Sequence, residues 1–66
     1  MILLTDRQRD VAHLVAEGLS DKGIALSLGI SERRVRQIIG RLVVVLALDP
    51  TRNTRVQIAV LAKRVA

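Results

Sequence analysis

No cysteine and no aromatic residue occurs among these 66 residues, and proline and histidine appear once each, as Pro50 and His13. Without cysteine there is no disulfide and no thiolate metal site. One imidazole cannot build a metal cage, so neither a cofactor nor a metal is expected. A chain this short buries a thin core, and folds of this size usually need a staple. With disulfides and metals excluded, self-association is the expected staple. The missing rings also bear on partners. Single-stranded nucleic acid is usually held by stacking on aromatic side chains, and RNA-recognition sheets work the same way.

Long hydrophobic runs are missing too. The longest, Leu42 to Leu48, is too short to span a bilayer, so no membrane partner is expected. The opening Met-Ile-Leu-Leu-Thr-Asp lacks the basic region and long apolar stretch of a secretory signal, and the cytoplasm is the expected compartment. What the chain does have is positive charge: 11 Lys+Arg against 6 Asp+Glu, a net charge of +5. That balance favours a polyanion. Nearly all the cations are arginines, whose guanidinium forks suit phosphate and guanine. Double-stranded DNA is the partner that fits both the charge and the missing rings.

Four amphipathic segments read as helices, over about 6–17, 21–28, 32–47 and 55–65, so the expected fold class is all-α. Thr5 and Gln8 have the spacing of a capping box, with Asp6 in the first turn where the helix dipole favours an anion. Val11, Leu14 and Val15 follow at helical spacing, and Gly18 supplies a stop. Ser20 caps a short second helix with Ile24, Ala25 and Leu28 as its inner stripe. Gly23 is a weak point inside it, costing roughly 1 kcal/mol relative to alanine. Gly29-Ile30-Ser31 is a tight connection in which Ile30 points inward and Ser31 caps the third helix. There Val35, Ile38, Ile39 and Leu42 form the inner stripe. Val43 to Val45 are β-branched and compete locally for a strand, but no breaker precedes Asp49-Pro50 and a helix is the preferred reading. The run Leu42–Leu48 is apolar all round, which suits either core or a partner surface. Thr54 and Gln57 read as a second capping box opening the fourth helix. Val56, Ile58, Ala59, Val60, Leu61, Ala62 and Val65 cover most of that helix, and Lys63 and Arg64 lie in its last turn.

Ser20 to Arg41 has the layout of a helix-turn-helix: a short helix with a small Ala25 at its centre, a glycine turn, then an arginine-rich helix. Docking by Val35 and Ile38 would leave Arg36 and Gln37 projecting near the helix start, where such helices touch base edges. Arginine reads guanine and glutamine reads adenine. Arg33, Arg34 and Arg41 are expected on phosphates, as are Ser20, Lys22 and Ser31 at the two helix starts. Arg7 and Arg9 fit either the DNA backbone or a solvated helix face.

No catalytic constellation emerges. Glu17 with Asp21 reads as solvated helix-end and loop charge rather than as an acid–base pair. Ser20 and Ser31 have no base to activate them. His13 reads as a helix-edge residue.

From Leu4-Thr5-x-Arg7 through Leu14-Val15-Ala16-Glu17-Gly18-Leu19-Ser20-Asp21-Lys22-x-Ile24-Ala25 to Leu28-Gly29-Ile30-Ser31-Glu32, the chain resembles the LuxR-type DNA-binding domain of bacterial response and quorum-sensing regulators. The resemblance implies a four-helix domain whose third helix enters the major groove and whose fourth mediates dimerisation. It implies a transcription regulator and not an enzyme. By position, Arg36, Gln37 and Gly40 match the family's base-facing sites, and Arg55-Val56-Gln57-x-Ala59-Val60-x-Ala62 resembles the start of its fourth helix. The expected homodimer interface combines Val44, Val45 and Leu48 with Val56, Val60 and Leu61. The chain departs from the family at Arg34 (usually Thr), Ile38 (usually His), Gly23 (usually Glu) and Val45-Leu46-Ala47 (usually Lys-Leu-Gly). A second reading is a protein-interaction module that pairs with a larger regulator. Ser31 to Ile38 is also similar to the recognition helix of sigma-factor region 4, a promoter-binding partner of RNA polymerase.

Overall fold

The computed structural model describes residues 4–65, with side chains described as far as Ala62. Four helices follow one another: α1 (Asp6–Ala16), α2 (Asp21–Leu28), α3 (Glu32–Val45) and α4 (Thr54–Val65). The side chains of Lys63, Arg64 and Val65, expected on the last of these, lie outside the described residues.

The first three starts follow the local chemistry of the sequence. Thr5 is extended and its hydroxyl accepts from the Gln8 N–H at 3.1 Å, while the Thr5 N–H donates to Gln8 Oε1 at 3.0 Å. Ser20 Oγ accepts from the Gly23 N–H and Ser31 Oγ from the Arg34 N–H, at 3.1 and 3.0 Å. Each bond satisfies a helix-end donor that otherwise has no partner. The stops at Gly18 and Gly29 use positive φ, 90° and 67°, a region that glycine enters without a Cβ penalty.

α3 is shorter than its apolar pattern suggests. The helix ends at Val45 and not at residue 47, because Ala47 turns left-handed at φ 53°. The Leu48 N–H then donates back to the Val43 carbonyl at 2.9 Å and the Ala47 N–H to the Val44 carbonyl at 3.2 Å, the bond pair of a Schellman motif. The reversal has a packing cause: Leu46 and Leu48 both lean against the core. Val43 to Val45 are helical, so the competing strand does not form.

The start of α4 also differs from expectation. Thr54 is already helical, and Asn53 Oδ1 does the capping, accepting from the Val56 N–H at 3.2 Å. Gln57 closes no box with Thr54. Its amide grips the Asp49 backbone instead, with Oε1 accepting from the N–H at 3.0 Å and Nε2 donating to the carbonyl at 2.9 Å. The side chain thus ties the start of the Asp49–Asn53 loop to the first turn of α4.

One aliphatic core joins the four helices. Val11, Ala12 and Val15 come from α1, Ile24 and Ala25 from α2, Val35, Ile38 and Leu42 from α3, and Ile58 from α4. α1 is the common support: α2, α3 and α4 all pack on it, and α2 and α3 also pack on each other. Leu14, Leu28, Ile30 and Ile39 are half-buried around this centre. Of the described α4 residues only Ile58 is fully buried; Ala62 packs partly against the core, and Val56 and Val60 are exposed.

An L-residue in the left-handed region costs about 1–2 kcal/mol, against about 0.4–1 kcal/mol of added unfolded-state entropy for glycine. Ala47→Gly is therefore expected to raise stability by about 0.5–1 kcal/mol, read as a higher urea midpoint with an unchanged slope.

Candidate nucleic-acid interface

Docking of α3 through Val35, Ile38 and Leu42 dictates what the rest of that helix presents. At about 100° per residue, Arg33, Gln37, Gly40 and Val44 fall on one line opposite the buried stripe. Arg36 lies on one flank of that line, and Arg34 and Arg41 on the other. All seven of these residues are exposed.

The electrostatics of this face are unusual in their lack of internal compensation. The ion pairs among the described residues are Arg9–Asp6, Arg52–Asp49 and Arg55–Asp21. No α3 arginine takes part in one. The one polar side-chain contact on this face is a long 3.4 Å bond from Arg34 Nη1 to Gln37 Oε1. Solvent-exposed bonds of this kind are readily exchanged, so the Gln37 amide is available to a partner. The outward line also includes a glycine with no internal reason to be there: a Cβ on Gly40 would meet nothing within 4 Å.

Ser20 and Lys22 are exposed at the first turn of α2, and Ser31 is exposed at the start of α3. Both serine oxygens accept backbone bonds, but each hydroxyl proton remains free to be donated. Gly23 does not mark a close backbone approach, since an added Cβ would meet only the Leu19 side chain at 3.6 Å, an ordinary contact.

The residues expected at a dimer interface do not share one environment. Val56 and Val60 are 57% and 45% exposed, one turn apart on α4. Leu61 and Val45 are half-buried, and Leu48 packs partly against the core. Val44 is 68% exposed, but helical spacing carries it onto the outward line of α3 with Arg33, Gln37 and Gly40.

One structural residue behind the interface was not anticipated. Arg55, in the first turn of α4, donates to Asp21 Oδ1 at 2.6 Å and to the Leu19 carbonyl. The pair is half-buried, so Asp21 is not the solvated charge its sequence context suggests. Two hydrogen bonds from one guanidinium hold the loop before α2, and with it Ser20 and Lys22, against α4. No local spacing could have revealed this, because the partners are 34 residues apart.

Residues 3–47 match the family described as bacterial regulatory proteins, luxR family. The chain belongs to that family. The match takes in α1, α2 and α3 entire, including the helix-turn-helix, while α4 lies beyond it. No curated protein and no solved structure matches the chain. As a LuxR-type helix-turn-helix, it is a regulatory DNA-binding module and not an enzyme. No helix among the described residues is long and apolar enough to cross a membrane.

Removing Arg55 leaves a half-buried carbonyl and carboxylate without their donor. Arg55→Ala is expected to lower unfolding stability by about 1–2 kcal/mol, between an exposed pair and a fully desolvated one. Arg55→Lys should recover little, since an ammonium lacks the fork that reaches both acceptors. Thermal melts of the two variants check this.

Proposed function

We propose that this LuxR-type domain is a sequence-specific transcription regulator that binds double-stranded DNA as a homodimer in the bacterial cytoplasm. α3 enters the major groove. Arg36 and Gln37 contact base edges, and Gly40 lets the helix lie close to the groove floor. Arg33, Arg34 and Arg41, with Ser20, Lys22 and Ser31 at the helix starts, hold the flanking phosphates. The observation that carries this reading is the outward face of α3, where arginines without carboxylate partners among the described residues surround Gln37 and Gly40. Charge left uncompensated inside the fold is available to phosphates and guanines.

Dimerisation is proposed through α4. Val56 and Val60 form an exposed apolar pair at i, i+4 on a helix that buries only Ile58 fully among its described residues. Pairing of two such faces also supplies the burial that a chain of this size lacks alone. The protomer's longest extent of 28 Å suits two copies lying side by side, with their third helices in successive major grooves roughly 34 Å apart.

Two variants test the assignment on duplexes selected from a random pool. Arg36→Ala should weaken binding by about 1–3 kcal/mol and relax preference at one base-pair position; unchanged affinity and preference in gel shifts would remove Arg36 from the base-reading set. Gly40→Ala should have two opposite effects. The folded state gains about 0.5–1 kcal/mol from better helix propensity, while duplex affinity falls because the new methyl group stands between helix and groove. A variant that is more stable and binds as well as the parent would show that α3 is not seated at Gly40.

A further inference from the structure

A second concentration of positive charge lies beside the outward line of α3. Arg34 and Arg41, on one flank of that helix, face the start of α1, where Arg7 and Thr5 stand opposite. Between them is an open cavity of about 190 Å³, edged also by Gln37 and the buried Ile38. Its lining includes no carboxylate, and none of the three arginines is ion-paired among the described residues. Three guanidiniums around one opening with no carboxylate in its lining favour an anion there. The cavity has room for a phosphate group with bridging waters. Guanidinium forks match phosphate oxygens two at a time.

The cavity is continuous with the proposed reading face, because Arg34, Gln37 and Arg41 belong to both. A phosphodiester at the rim of the major groove is therefore its fitting occupant, in preference to a free anion. We propose that the cleft between Arg7, Arg34 and Arg41 seats a backbone phosphate of the duplex, with Arg7 bringing α1 into the DNA footprint. This rests on the reading that α3 enters the groove. A phosphate clamped between two helices anchors α1 and α3 to the strand together, whatever bases α3 meets. Arg7 is thus a positioning residue that carries no sequence preference of its own.

The test is a salt titration of duplex binding by fluorescence anisotropy, with wild type, Arg7→Gln and Arg7→Lys on a selected and an unrelated duplex. Arg7→Gln should weaken both duplexes by the same factor and reduce the log–log salt slope by about 0.9, the share of one phosphate contact. Arg7→Lys should restore the slope. In duplexes carrying one neutral methylphosphonate at a time, one position per half-site should weaken wild type and leave Arg7→Gln unaffected. An Arg7→Gln variant with wild-type slope and affinity overturns the proposal, while base reading by Arg36 is judged separately. If inorganic phosphate raises the melting temperature of wild type but not of Arg7→Gln, and the duplex slope is unchanged, the cleft serves a free anion and the proposal falls. Wild type that binds no duplex at all overturns both this proposal and the reading on which it rests.

Discussion

Five side chains with no exposed surface, Val11, Ile24, Val35, Leu42 and Ile58, hold the four helices to one centre, and every helix supplies at least one of them. Burying each contributes about 1.5–3 kcal/mol. The whole margin expected of a domain this long is about 3–10 kcal/mol at 0.05–0.15 kcal/mol per residue. One such contact is therefore a sizeable share of the total. The direction in which α3 faces depends on the same contacts. Val35, Ile38 and Leu42 seat one side of that helix on α1 and α2, and Arg33, Gln37 and Gly40 point outward as a geometrical consequence.

The arginines divide into two groups with different work. Arg9 and Arg52 form exposed pairs one turn away in sequence, at 3.9 and 3.5 Å, and such pairs contribute little in water. Arg55 is half-buried and joins two elements through Asp21 and the Leu19 carbonyl. Among the described residues, the α3 arginines and Arg7 have no such partner. Segregation of compensated from uncompensated charge is what makes one face of a small helical fold suited to a polyanion. α4 shows a similar division of apolar groups: Ile58 completes the core, and Val56 and Val60 remain at the surface.

Much of this was legible from local chemistry. The caps at Thr5, Ser20 and Ser31, the glycine stops, and the inner stripe of α3 all depend on residues within four or five positions of each other, and each formed as its spacing implies. Local rules misled where a distant contact outbid them. Thr54 and Gln57 have capping-box spacing, yet the Gln57 amide reaches Asp49 and Asn53 takes the cap. No breaker marks the end of α3, yet the chain reverses at Ala47 so that Leu46 and Leu48 can rest on the core.

By itself, the sequence determined the four helices, the caps of the first three and the outward set on α3, because backbone capping and helical periodicity are mostly settled between near neighbours. Tertiary structure alone decided that Arg55 meets Asp21, that Arg7 closes a cleft with Arg34 and Arg41, and which valines stay exposed. Those outcomes depend on how α1 brings remote segments together, and the distance through space between such residues is not encoded in their spacing along the chain.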